Sequence, residues 1–83
     1  MQGRRVESVE ALEQPGDYCL TERSLMVILP SGVTGCLDIP DDGPGRWQIT
    51  VHGPEGTITA RPSIHDAPNG WHGWLERGVW RSP

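Results

Sequence analysis

The chain has 83 residues and a mass of 9.1 kDa, which leaves room for a single domain. Only 35% of its residues are hydrophobic, and 11 glycines and 8 prolines take positions that would otherwise carry core side chains, so a large apolar core is excluded. Seven arginines and no lysine stand against eleven acidic residues, a net charge of −4 that argues against nucleic acid as the main partner.

Residues 4–14 (RRVESVEALEQ) place Val6, Val9 and Leu12 three apart with acidic residues between them. The spacing predicts a short, peripheral amphipathic helical turn over residues 1–14, ended by Pro15-Gly16. The β core is expected over residues 16–81.

Asp17–Thr21 reads as a short strand, with a polar turn at Glu22-Arg23-Ser24. Leu25–Leu29 (LMVIL) is the most apolar run and predicts a central strand covered on both faces. Pro30-Ser31-Gly32 breaks it, and Gly35–Pro40 reads as a further strand. Asp41-Asp42-Gly43-Pro44-Gly45 is a loop by composition.

Arg46–His52 alternates cleanly, with Trp47, Ile49 and Val51 on one face. Gly53-Pro54-Glu55-Gly56 then turns the chain into Thr57–Ala60, so residues 46–60 predict a hairpin. Pro62 lacks an N–H for the ladder and predicts an edge or a strand end. Asn69-Gly70 is a turn pair, and Trp71–Leu75 and Val79–Arg81 read as two strands joined through Glu76-Arg77-Gly78. The expectation is an all-β, mainly antiparallel domain, a meander or small sandwich of about six strands.

The start of the chain, with Arg4, Arg5, Glu7 and Glu10, has no signal-peptide pattern, and no apolar run reaches membrane-span length. The expectation is a cytoplasmic protein with no membrane partner. In a reducing compartment Cys19 and Cys36 are then free thiols or metal ligands rather than a disulfide. A core this small is marginal alone, so a partner chain or a metal would help to hold it.

The C-terminal stretch holds three of the four tryptophans and two of the three histidines. Its pieces are Pro62-Ser63-Ile64, then Gly70-Trp71-His72-Gly73-Trp74-Leu75, then Gly78-Val79-Trp80. This pattern resembles the end of small bacteriophage and prophage proteins, a family defined only as a domain of unknown function. Pro15-Gly16-Asp17-Tyr18 and the run Leu25–Pro30 also look like such proteins. The resemblance implies a phage origin, a place in the bacterial host cell and a compact β fold, and it implies no reaction. Members of this kind tend to carry a Cys-rich, zinc-ribbon-like segment before the PSI motif. This chain departs from that pattern and has only Cys36 there, in Thr34-Gly35-Cys36-Leu37.

Four constellations bear on chemistry. Cys36, His65 and His72, with Cys19 and His52 in reserve, are of the right types for zinc, but no close Cys pair fixes a knuckle. The plain alternative is small buried cysteines and hydrogen-bonded histidines. Ser63, His65 and Asp66 are acyl-transfer residue types, yet Asp66 cannot easily orient its immediate neighbour, and a Ser–Asp turn accounts for them. In a strand, His72 and Trp74 share one face while Trp71 takes the other, so one indole can meet a partner. Trp47 reads as core, whereas Trp71, Trp74 and Trp80 stay open between core and contact. Finally, tryptophan with Arg46, Arg61, Arg77 and Arg81 could stack a base, against the acidic balance of the chain.

The expected function is that of a non-enzymatic, phage-encoded accessory protein that binds a host or phage protein, or its own copy. Inhibition of a host defence or regulatory factor belongs to that class. Its expected contact residues are Trp71, His72, Trp74, Trp80 and Arg77, with no cofactor. The alternative is a small zinc- or ligand-binding domain using Cys36, His65 and His72.

Overall fold

Alternation and turn chemistry decide the second half of the chain. The computed structural model describes residues 1–39, 47–66 and 71–83. The expected 41–45 loop, Arg46 and the Asn69-Gly70 turn lie outside the described residues. Strands β5 (Gln48–His52) and β6 (Thr57–Asp66) form the expected hairpin, with Ile49 opposite Ala60 and Val51 opposite Ile58. Strands β7 (Trp71–Glu76) and β8 (Val79–Arg81) follow as antiparallel neighbours. Arg77 and Gly78 join them, both at positive φ (46° and 77°), which matches the twist of a two-residue hairpin. Together these strands make a four-stranded sheet in the order β5-β6-β7-β8.

The first half makes a second four-stranded sheet, β1-β2-β3-β4. Its strands are β1 (Arg4–Arg5), β2 (Asp17–Leu20), β3 (Ser24–Ile28) and β4 (Thr34–Asp38). The β2, β3 and β4 strands form an antiparallel meander, and β1 adds in parallel to β2. The domain is thus a small all-β fold, as expected, built of two sheets, with eight strands among the described residues rather than about six.

One buried cluster joins the sheets. Tyr18, Leu25, Val27, Leu29 and Leu37 come from the first half; Ile58, Ala60, Ile64, Leu75 and Trp80 come from the second. Trp47, Ile49 and Trp71 pack on its margin. Burial also pushes the Tyr18 phenol up from its ordinary pKa.

The structure refines or corrects four readings of the sequence. First, the expected N-terminal helical turn is present but minor: it is one 3₁₀ turn, Val9–Ala11, with no buried residue, in a stretch that also holds β1. Its first residues are fixed by distant partners instead. Gln2 bridges Val79, the Gly3 N–H donates to the Gly78 carbonyl at 2.7 Å, and the Trp80 N–H donates to the Met1 carbonyl at 2.8 Å. The stretch therefore runs along β8 before it joins β2, and it stitches the two sheets together.

Second, β3 is not doubly covered, since Leu25 and Val27 are buried while Met26 and Ile28 are half-buried on the other face. Third, Pro62 does not end β6; the register shifts between Ala60 and Ile64, and Pro62 lies in that irregularity, where the ladder asks nothing of it. Fourth, Val51 lies on the face of Ile49, as read from the alternation, yet on the edge strand β5 it is 50% exposed.

Candidate functional site

The β7 strand sorts its side chains by parity. Trp71, Gly73 and Leu75 take the core side, and His72, Trp74 and Glu76 take the outer side. Gly73 is needed on the core side. A Cβ there would collide with the Arg81 carbonyl and would sit 2.7 Å from the Trp71 ring. With only hydrogen at Gly73, Trp71 meets Trp80 edge to face, with ring centroids 5.8 Å apart.

Trp80 is 3% exposed, and its indole Nε1–H donates to the Gly16 carbonyl at 2.9 Å. Its expected role as a contact residue is therefore corrected, because both its ring and its polar atom are committed to the interior. Trp71 is half-buried against the core cluster. Trp74 is half-buried on the opposite face, beside the His72 ring, with centroids 5.4 Å apart.

His72 in turn pairs across the ladder with exposed His65 on β6, and their ring centroids are also 5.4 Å apart. His65, His72 and Trp74 thus form a continuous aromatic row on the outer face of the second sheet. Sequence reasoning named all three but could not see that they are neighbours, since the β6–β7 register sets this.

Beside the row, the same face carries an open depression of about 310 Å³. His52, Thr59, Arg61, Arg77 and Arg81 line it, with Glu76 as its acidic member. Thr59 is buried, and its Oγ1 accepts the Arg77 backbone N–H at 2.9 Å and lies 2.7 Å from His52 Nε2. That contact holds Arg77 in a left-handed conformation that a long side chain rarely adopts. Arg61 and Arg81 come from β6 and β8, the two strands flanking β7, and Arg81 pairs directly with Trp74. From the sequence, Arg61, Arg77 and Arg81 group with Arg46 as a candidate base-stacking set, and the support of Arg77 by Thr59 and His52 was missed; the alternation of Thr50, His52, Thr57 and Thr59 was the available signal.

The zinc set does not assemble. Cys36 lies on β4 of the first sheet, where its Sγ–H donates to Asp38 Oδ1 at 3.6 Å, while His65 and His72 lie on the second. Among the described residues no group of three or more His, Cys, Asp or Glu side chains converges as a metal site would require. Cys19 is buried and His52 is engaged with Thr59. Among the described residues no hydrogen bond joins Ser63 to His65, so the acyl-transfer trio has no nucleophile–base contact.

A second depression of about 430 Å³, between β1 and the β5–β6 turn, is lined by Arg5, Glu7 and Glu55 among others. Arg5 there donates to the Gly56 carbonyl at 2.8 Å, which makes the cleft a tie between the two halves of the chain. No described helix is long and apolar enough to cross a membrane. Compared with protein-family models, curated proteins and solved structures, the chain finds no match.

Proposed function

We propose that the protein is a non-enzymatic binding module that engages another protein through the outer face of its second sheet. One observation carries this: the row His65–His72–Trp74 stands on that face, outside the core cluster, in ring-to-ring proximity. Tryptophan contributes a large contact area with few torsions lost on binding, and Trp with Arg dominates the centres of protein interfaces. The face is open rather than enclosed, which suits a partner's surface better than a small molecule. Arg77 belongs to the same face and Trp71 supports it from below.

A phage origin, action on a host factor and a cytoplasmic place in the host cell are part of the proposal. They rest on the resemblance of Pro62-Ser63-Ile64, Gly70–Leu75 and Gly78-Val79-Trp80 to phage proteins. The test is affinity capture from bacterial lysate with the wild-type chain and the Trp74→Ala and His72→Ala variants side by side. Direct binding of the captured protein to each variant follows. The expected result is a partner lost by both variants while their far-UV spectra stay native and their melts stay cooperative. Equal capture by wild type and variants would move the contact surface elsewhere.

A further inference from the structure

The chain is acidic overall, yet the positive charge on the outer face of the second sheet is concentrated in one place. Three arginines, Arg61, Arg77 and Arg81, line one depression against a single carboxylate, Glu76. On the first sheet, Arg4 and Arg5 have internal work. Arg4 binds Asp17 through both its Nε and Nη2, and Arg5 caps the Gly56 carbonyl. Among the described residues no ion pair or hydrogen bond engages the guanidiniums of Arg61, Arg77 or Arg81. Like charges gathered on one sheet face repel, and nothing in the fold requires them there.

Arg77 strengthens the case. Its φ of 46° is a position where Asn or Gly is the usual choice in a two-residue hairpin. Strain held at a single residue points to a use for its side chain. The fold supports the conformation from beneath, with the Arg77 N–H on Thr59 Oγ1 and His52 on the same hydroxyl.

We propose that this depression receives the carboxylates of an acidic peptide segment, held by Arg61, Arg77 and Arg81 beside Trp74. The proposal deepens the protein-contact reading, because it names the chemistry of the partner that the same face would take. Guanidinium forks match carboxylates in plane and in number of donors. A nucleic-acid strand asks for a positive track along many phosphates, whereas the charge here is confined to one depression of about 310 Å³ in a chain of net charge −4. Arg81 opposite Trp74 puts a cationic and an apolar contact side by side, which suits an acidic side chain next to an apolar one.

The test uses a capped hexaglutamate peptide titrated into ¹⁵N-labelled protein at low salt, with hexathymidylate as the comparison. The expected result is saturable shifts centred on the Thr59, Arg77 and Arg81 amides, lost as salt is raised. Arg61→Gln, Arg77→Asn and Arg81→Gln are each expected to weaken the peptide about tenfold, the value of one charge-assisted contact. Arg77→Asn is the decisive variant. Asn accepts the left-handed backbone, so its melting temperature is expected to hold or rise while binding falls; a purely structural arginine would not separate the two. Absence of shifts, shifts that ignore all three variants, or tighter binding of hexathymidylate each overturns the proposal. The peptide is read on the isolated chain without a partner, so its failure leaves the tryptophan-centred contact reading to be judged by capture alone.

Discussion

On the first sheet the polar groups are turned to internal use, and on the second they are left facing out. Asp17 has no exposed surface, and its carboxylate takes two bonds from Arg4, at 3.0 and 2.7 Å, and two from the Glu13 and Gln14 N–H groups. Cys19, on the face away from Tyr18, is only 2% exposed, so that face is covered over β2 too, though not over β4, where Cys36 is exposed. The link between the parallel strands β1 and β2 has to cross a sheet face, and it carries half-buried Val6, Ala11 and Leu12. On the second sheet the corresponding face presents His65, His72, Trp74 and three arginines. The contrast teaches where to look for function: the sheet whose buried carboxylate already has its partners supports the fold, and the one whose arginine side chains, among the described residues, lack them is available for binding.

The comparison breaks most visibly if a residue assigned to the interior proves dispensable. Trp80→Ala removes a buried indole, opens a cavity beside Trp71 and leaves the Gly16 carbonyl without its donor. The expected loss is about 4 kcal/mol, enough to unfold a domain this small. Urea titration followed by circular dichroism reads it, and a cooperative transition at the wild-type midpoint would contradict the assignment of Trp80 to the core.

Asp17 tests the polar side of the first sheet. Asp17→Ala strands two backbone N–H groups and releases Arg4, for an expected cost of about 3 kcal/mol. The same contacts predict an acid transition. The Arg4 guanidinium, and then the Glu13 and Gln14 N–H groups, hold the Asp17 carboxyl at about 2 against its ordinary 3.8, although burial acts the other way. As pH falls, the unfolded chain takes up this proton before the folded chain does. The contribution is therefore full above about pH 5 and fades between about pH 4 and pH 2, a loss of about 2 kcal/mol. Chemical denaturation at a series of pH values checks it, and Asp17→Asn is expected to flatten that part of the profile.

These tests also mark what the sequence could tell. The β5–β6 hairpin was legible because Gln48–His52 alternates and Gly53–Gly56 turns, both local signals. The N-terminal stretch was legible only as its short helical turn. Val6, Val9 and Leu12 have helical spacing, but the ladder to β8 and the Arg4–Asp17 pair decide the outcome, and both are distant in sequence. Pro62 misled for the opposite reason: the local rule was sound, and a register shift removed the need it describes. For the site, parity correctly separated Trp71 from His72 and Trp74. It could not tell which face was the inner one, nor that Trp80 would follow Leu75, its ladder partner, into the core.

Trp74 is the counterpart of Trp80 and carries a smaller effect on stability. It is half-buried on the outer face, so Trp74→Ala is expected to cost about 1 kcal/mol, and its fluorescence is expected to be quenched by acrylamide before that of Trp80. Variants that keep a single tryptophan separate the two signals. Equal quenching of both would erase the distinction between inner and outer indoles on which the binding face depends.

The finest contrast lies between the two thiols. Cys19 and Cys36 are both free, and they flank Met26 across the ladder, yet Cys19 is buried while Cys36 is exposed on the edge strand β4. Because thiol chemistry needs access, a thiol reagent added to the folded protein is expected to label Cys36 at once and Cys19 only through opening of the covered face. Labelling followed by mass spectrometry counts the two steps, and Cys36→Ser is expected to abolish the fast one while changing stability by less than about 0.5 kcal/mol. Asp17→Ala is expected to speed the slow step, since it loosens Arg4 from β2 and with it the segment that follows. Fast labelling of Cys19 in the wild type would mean that the outer face of the first sheet is open as well, and the two sheets would no longer differ in the way that assigns binding to the second.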